Sequence, residues 1–212
     1  MHIRGVIFDY GEVLCYRAAS NDVRRVADVL EVSEQALRAA YGIDRDAYDR
    51  GDIEPSEYWE KTARHAGRTV QPARLDLLRA GDVEMWSKVN RAVVDWARGL
   101  SQAGLRIGVL SNMHRDMVDY VRKNLDWIRW FDCLTLSSEV RLTKPDPAIY
   151  EHCLRGLSVR PEEALFIDDR EINCEGARKA GLHAVRFQGL DQLRSALSQF
   201  GLPALPADGD GR

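Results

Sequence analysis

The strongest constraint on the fold is the alternation of short apolar runs with segments of helical length. Five runs of this kind, each ending at polar or turn-forming residues, span 3–8, 105–110, 133–136, 164–167 and 184–187. Segments with helical periodicity follow at 92–103, 117–124, 147–157 and 174–180. A strand–helix alternation predicts an α/β fold in which helices cover both faces of a doubly wound parallel sheet.

One long segment interrupts this alternation. Residues 16–87 contain no convincing β run, and the apolar spacing predicts three or four amphipathic helices near 35–41, 46–50, 55–66 and 72–80. We therefore predict an inserted helical domain at 16–87 and a discontinuous core domain made of 1–15 and 88–200. Residues 201–212 are rich in Pro, Gly and Asp, which predicts a flexible tail.

Charge and hydropathy exclude several functional classes. The chain carries 30 Lys and Arg against 33 Asp and Glu, so it lacks the basic excess that a nucleic-acid partner requires. No uncharged stretch approaches the roughly 18 residues of a membrane span, and the acidic Asp9 interrupts any secretory signal pattern. We expect a cytoplasmic protein without nucleic-acid or membrane partners; both a monomer and a homodimer remain open.

Acidic and polar residues follow three of the predicted strands. Asp9 follows the first run, Ser111 and Asn112 follow the second, and Asp168 and Asp169 follow the fourth. Ligands bind outside the carboxyl ends of the strands in open parallel sheets, so these side chains should meet at one edge. Three clustered carboxylates repel one another unless a cation lies among them, and Mg²⁺ prefers such oxygen ligands.

Four motifs carry a resemblance to a known family. They are V-I-F-D-Y-G-E-V-L at 6–14, V-L-S-N at 109–112, K-P-D-P-x-I-Y at 144–150 and L-F-I-D-D-x-x-x-N-x-x-x-A-x-x-x-G at 165–181. In this order and spacing they resemble the haloacid dehalogenase-like (HAD) hydrolase superfamily. The resemblance implies a Rossmann-like core, and residues 16–87 lie where that family carries its cap domain.

The resemblance also implies a phosphatase mechanism. Asp9 would be the nucleophile that forms an aspartyl-phosphate, and the substrate would be a small phosphorylated metabolite such as a sugar phosphate. Mg²⁺ would bind Asp9, the carbonyl of Gly11 and Asp169, with Asp168 as an outer partner of the metal site.

The remaining site residues implied by the resemblance surround the phosphate. Ser111 and Asn112 would bind phosphate oxygens, and the Lys144 ammonium would offset negative charge. The backbone N–H groups of Tyr10 and Gly11 would complete an anion-binding turn.

The sequence departs from the phosphatase pattern at Gly11. Phosphatases of the superfamily commonly carry a general acid/base Asp at this position. A substrate with a good leaving group would not need that acid, or Glu12 or a cap residue would supply the proton. A weakly active or inactive protein that binds a phosphorylated metabolite is the alternative.

A metal-independent 2-haloacid dehalogenase is the second alternative. Such enzymes tend to show D-x-Y-G-T in the first motif and Ser-Asn in the fourth. Here Tyr10 lies one place after Asp9, and Asp168 and Asp169 are both present. Paired acids beside a third favour a bound cation, and therefore phosphate chemistry.

Overall fold

The computed structural model describes residues 2–205, and its centre is one parallel sheet. The strands are β1 (Gly5–Phe8), β2 (Arg106–Ser111), β3 (Cys133–Leu136), β4 (Ala164–Asp168) and β5 (His183–Arg186), in the order β3-β2-β1-β4-β5. After β1 the chain adds β2 and then β3 on one side of it, and then crosses to add β4 and β5 on the other side. The switch point of the sheet therefore lies between β1 and β4, directly beside Asp9.

Alternate residues of the central strands enter two different hydrophobic clusters. Val6 and Phe8 of β1 pack on one face, whereas Ile7 packs on the other, and all three are fully buried. Burial on both faces explains why the strands appear in the sequence as continuous apolar runs and not as alternating patterns. The predicted α/β doubly wound fold is confirmed.

Helices cover both faces. The core helices are α6 (Arg91–Gln102), α7 (Arg115–Asn124), α8 (Ser137–Val140), α9 (Pro147–Leu157), α10 (Glu171–Lys179) and α11 (Leu190–Leu197). Short 3-10 turns lie at Asp126–Trp130, Pro161–Glu163 and Ser198–Phe200. α6, α7 and α11 contribute to the cluster that contains Phe8, and α9 and α10 to the cluster that contains Ile7.

Five further α-helices lie between β1 and α6, after a short π-helical turn at Tyr10–Leu14. They are α1 (Ser20–Leu30), α2 (Glu34–Tyr41), α3 (Arg45–Arg50), α4 (Pro55–His65) and α5 (Pro72–Met85), together called the helical segment below. Their apolar side chains form a separate buried cluster around Trp59 and Tyr58. Sequence analysis missed α1, although Val23, Val26, Ala27 and Leu30 carry the helical spacing and are buried.

The chain enters and leaves the helical segment through two paired linkers. Cys15 and Val89 form an antiparallel bridge. Beside it, Tyr16 N–H donates to the carbonyl of Lys88 at 2.7 Å, and Asn90 N–H donates to the carbonyl of Leu14 at 2.9 Å. The two crossings are therefore hydrogen-bonded to each other.

The last described residues return to the core. Leu205 is buried, and Trp96 Nε1 donates to the carbonyl of Pro203 at 2.9 Å. Residues 206–212 of the predicted tail lie outside the described residues. Within residues 2–205, no helix is both long enough and apolar enough to span a membrane.

Candidate active site

Asp9 follows β1 at the switch point of the sheet. Its backbone N–H donates to the carbonyl of Ile167 at 2.8 Å, which extends the pairing of β1 with β4 by one residue. Asp9 is only 6% exposed, and its carboxylate accepts hydrogen bonds from Tyr10 N–H at 2.7 Å and Lys144 Nζ at 2.9 Å. In the described part of the chain both contacts fall on Oδ1, which leaves Oδ2 able to act as a nucleophile.

Lys144 lies between two carboxylates. Its Nζ is 2.9 Å from Asp9 Oδ1 and 2.6 Å from Asp168 Oδ2, and its side chain is 1% exposed. Burial alone would lower the pKa of Lys144, but the charges of Asp168 and Asp9 outweigh it and raise the pKa. Lys144 is therefore a permanent cation beside the proposed nucleophile.

The Asp9 carboxyl is a destabilised anion. Burial raises its pKa to about 7; Lys144 acts in the opposite direction, and the charges of Asp168 and Asp169 add to the rise. Burial likewise raises the pKa of Asp169 to about 6, with Asp168 and Glu12 contributing. The site holds more negative charge than one ammonium neutralises.

Asp168 uses both oxygens in contacts with protein groups. Oδ2 accepts from Lys144 Nζ, Oδ1 accepts from Arg170 N–H at 2.8 Å, and Asn173 Nδ2 lies 3.0 and 3.1 Å from the two oxygens. A carboxylate saturated in this way orients Lys144 and is poorly placed to bind a cation directly. These contacts are consistent with the predicted role of Asp168 as an outer partner of the metal site.

The three aspartates form a candidate metal centre. One carboxylate oxygen from each of Asp9, Asp168 and Asp169 lies within 4.8 Å of the other two. Carboxylate oxygens suit Mg²⁺, and the raised pKa values of Asp9 and Asp169 show that added positive charge would stabilise the cluster. The residues present therefore fit a divalent cation held by Asp9 and Asp169.

The Asn112 side chain pairs with the backbone of Lys144. Its Oδ1 accepts from Lys144 N–H at 2.8 Å, and its Nδ2 donates to the Lys144 carbonyl at 3.0 Å. This paired hydrogen bond fixes the backbone of the lysine. Because both polar atoms of the amide are engaged, a phosphate contact at this position would have to come from the Asn112 backbone.

A close helix–loop approach also positions Lys144. A Cβ atom on Gly176 of α10 would lie 2.9 Å from Pro145 Cβ and 3.0 Å from the Pro145 carbonyl oxygen. Contacts below 3.0 Å force a shift, so only glycine allows α10 to approach the loop that carries Lys144 this closely.

Tyr10 lies directly after the proposed nucleophile, and its N–H donates to the Asp9 carboxylate. The Tyr10 side chain is buried, and its hydroxyl donates to the carbonyl of Trp86 at 3.0 Å, so it fastens the end of the helical segment. Gly11 and Glu12 continue the turn, and Glu12 has the positive φ of 56°.

A cavity of about 390 Å³ lies between the sheet edge and the helical segment. Core residues of its lining include every predicted site residue except Asp168: Asp9, Tyr10, Gly11, Ser111, Asn112, Lys144 and Asp169. The helical segment contributes Tyr41, Arg45 and Asp49, and Trp86 follows directly after α5.

Sequence reasoning missed Tyr41, Arg45 and Trp86. Trp86 Nε1 donates to Tyr41 Oη at 3.2 Å, and Tyr41 Oη donates to Asp82 at 2.5 Å. Arg45 contacts both oxygens of Asp49 at 3.0 Å and also bonds Tyr41 Oη. No local motif marks these residues; the only available signal was an arginine and aromatics at helical spacing within an inserted segment.

The molecule is an α/β protein with a cluster of three aspartates beside the switch point of its parallel sheet. The chain belongs to the haloacid dehalogenase-like hydrolase family, whose model matches residues 3–181. Among curated relatives, drimenol cyclase drtB of Aspergillus calidoustus is 27% identical over 207 residues, covering 95% of this chain and 37% of that protein. The matches span 36% to 42% of the first three curated relatives.

Solved structures show the same fold. A HAD family enzyme from Bacteroides thetaiotaomicron, in complex with magnesium and inorganic phosphate, has a TM-score of 0.70 at 22% identity, covering 87% of this chain and 93% of that one. The L-2-haloacid dehalogenase of Xanthobacter autotrophicus has a TM-score of 0.67 at 21% identity, covering 96% and 85%. This chain therefore shares its fold with a HAD family enzyme solved with magnesium and phosphate and with an L-2-haloacid dehalogenase.

Proposed function

We propose that the protein is a Mg²⁺-dependent phosphomonoester hydrolase that acts on a small phosphorylated metabolite through Asp9. The observation that carries this proposal is the cluster of Asp9, Asp168 and Asp169, with one oxygen from each within 4.8 Å. Phosphoryl transfer needs positive charge beside the transferred group, and a cation held by carboxylates supplies it. A neighbour with the same fold was solved with magnesium and inorganic phosphate, which supports this proposal.

Asp9 provides the covalent step. Its carboxylate attacks phosphorus, the bond from phosphorus to the leaving oxygen breaks, and that oxygen keeps the electron pair. Water then attacks phosphorus in the aspartyl-phosphate, which releases phosphate and restores the Asp9 carboxylate. Lys144, 2.9 Å from Asp9, favours the ionised nucleophile and offsets charge on the phosphoryl group.

The other site residues bind and orient. Asp9, Asp169 and the carbonyl of Gly11 would hold the metal ion, which when bound would neutralise phosphate charge and so permit attack by an anion. Ser111, buried at the end of β2, would donate its hydroxyl to a phosphate oxygen. The helical segment would act as the cap, because Tyr41, Arg45 and Trp86 line the same cavity, and its closure would limit the access of water.

Hydrolysis of 4-nitrophenyl phosphate, measured with and without Mg²⁺, tests the proposal. We expect metal-dependent turnover that is lost in Asp9→Asn and retained in Asp146→Asn. Asp146 is exposed and caps α9, a role that asparagine also fills, so it is a matched control. Mass spectrometry of acid-quenched enzyme should find the phosphoryl group on Asp9.

The two alternatives predict different results in the same experiments. Metal-independent halide release from a 2-haloacid that is lost in Asp9→Asn would reject the phosphatase proposal in favour of a dehalogenase. Tight phosphate binding without turnover would replace it with a metabolite-binding protein.

A further inference from the structure

A second cavity of about 250 Å³ adjoins the candidate active site. Its walls come from the helical segment and from the linker that precedes it, and include Ala18, Val23, Leu37, Met85, Tyr41 and Trp86. Val23, Leu37 and Met85 are apolar residues of the buried cluster of that segment. We call this cavity the apolar chamber.

The apolar chamber and the active-site cavity share a wall. Glu12, Tyr41 and Trp86 line both. Trp86 also contacts the nucleophile turn, because a Cβ atom on Gly11 would lie 3.7 Å from Trp86 Cζ3. An indole therefore lies beside the position where phosphatases of the family commonly carry the acid that protonates the leaving group.

The charges at the chamber are already paired. Arg38 donates to Glu34 from Nε and Nη2 at 3.0 and 2.9 Å. Arg17 Nε lies 3.6 Å from Glu12 Oε1. Both guanidinium groups are exposed and have a carboxylate partner, and the walls between them are apolar. The chamber therefore favours hydrocarbon over sugar hydroxyls or a second phosphate.

The geometry points to the apolar chamber as the binding site for an apolar tail on the leaving group of the phosphorylated substrate. This inference rests on the proposed phosphatase function. Because Gly11 supplies no acid, this site suits a departing oxygen that is a weak base. A substrate that combines both properties carries a hydrocarbon chain on a good leaving group, and medium-chain acyl phosphates are the simplest members of that class.

A series of acyl phosphates from acetyl to decanoyl tests the chamber, because the basicity of the leaving carboxylate stays nearly constant while the chain grows. Full burial of one methylene corresponds to about a fourfold gain in kcat/KM. Ordering of the chain reduces this gain, so we expect at least about a 50-fold rise from acetyl to octanoyl phosphate. Spontaneous hydrolysis is subtracted with Asp9→Asn.

Ala18→Phe should fill the chamber from its partly exposed rim. We expect this variant to hydrolyse acetyl phosphate at the wild-type rate and to lose the gain with chain length. Ala19→Phe is the matched control, because Ala19 is the exposed neighbour and does not line the chamber. It should keep the wild-type profile. Thermal unfolding of both variants checks that each is folded.

Binding provides a readout that does not need turnover. Calorimetry in Mg²⁺ should find that wild type binds octylphosphonate at least about 50-fold more tightly than methylphosphonate. In Ala18→Phe the two phosphonates should bind with similar affinity. Equal affinities for the two phosphonates, or a flat chain-length profile with rapid acetyl phosphate hydrolysis, would overturn the proposed role of the apolar chamber. Neither result would contradict the proposed phosphatase activity. Tail-dependent binding without any Asp9-dependent turnover would support the chamber and reject the phosphatase.

Discussion

Placing an acid at position 11 tests whether Gly11 leaves the site without a general acid. Its backbone has φ −63° and ψ 131°, which any residue adopts, so Gly11→Asp introduces no backbone strain. The new Cβ would lie 3.7 Å from Trp86 Cζ3, an ordinary van der Waals contact. The substituted carboxyl would lie between an indole and the anionic cluster, and both neighbours favour its protonated form.

A protonated carboxyl beside the leaving oxygen would act as a general acid. Such catalysis contributes roughly 10²- to 10⁴-fold in rate. Because Trp86 shares the space, we expect the lower end, about 100-fold in kcat/KM for hexyl phosphate, or about 2.7 kcal/mol in the barrier. Hydrolysis of 4-nitrophenyl phosphate should change by less than about threefold, because nitrophenolate leaves without a proton.

The assay compares both substrates in wild type, Gly11→Asp and Gly11→Asn. Asparagine has the size of aspartate but cannot transfer a carboxylic proton, so it controls for packing against Trp86. Equal gains for the two leaving groups, an equal gain in Gly11→Asn, or no gain in a folded Gly11→Asp protein would each refute the reasoning.

Three further changes have defined outcomes. Lys144→Met should abolish turnover and cost about 3 to 5 kcal/mol in urea unfolding, because it leaves buried carboxylates unpaired. Gly176→Ala should cost about 1 to 3 kcal/mol and lower kcat by pushing on Pro145, whereas Gly99→Ala, with open space around it, should not destabilise the protein. Glu163 has its pKa lowered to about 2 by its hydrogen bonds to Arg160, so its stabilising contribution is present above about pH 4.3 and is lost as pH falls toward 2. In urea unfolding at several pH values, Glu163→Gln should therefore be less stable than wild type at pH 6 and equal to it near pH 2.

The sheet was accessible to sequence reasoning because its strands are buried on both faces. Continuous apolar runs that stop at polar residues mark such strands. Because β1 and β4 are parallel neighbours, the residues that follow them, Asp9 and Asp169, lie at the same edge of the sheet, whatever sequence separates them. The helix α1 was missed because its many charged residues mask four apolar positions at helical spacing.

The side-chain contacts at the site were not accessible in the same way. Asn112 is bonded to Lys144, 32 residues away, and Tyr10 to Trp86, 76 residues away. Which of two available partners an amide or hydroxyl contacts depends on the packing of whole elements, and no local pattern encodes that choice. Arg45 was missed for the same reason, because the helical segment is placed only by tertiary contacts.

The paired linkers restrict how the helical segment can move. A domain connected by two independent linkers can rotate about many axes. Here the two linkers are hydrogen-bonded to each other at Cys15 and Val89, so they must bend together. We therefore expect the helical segment to rotate about a single axis that passes through the paired linkers. The turn that begins beside Asp9 ends at Cys15, so we expect any opening of the cavity to displace the backbone that holds the nucleophile.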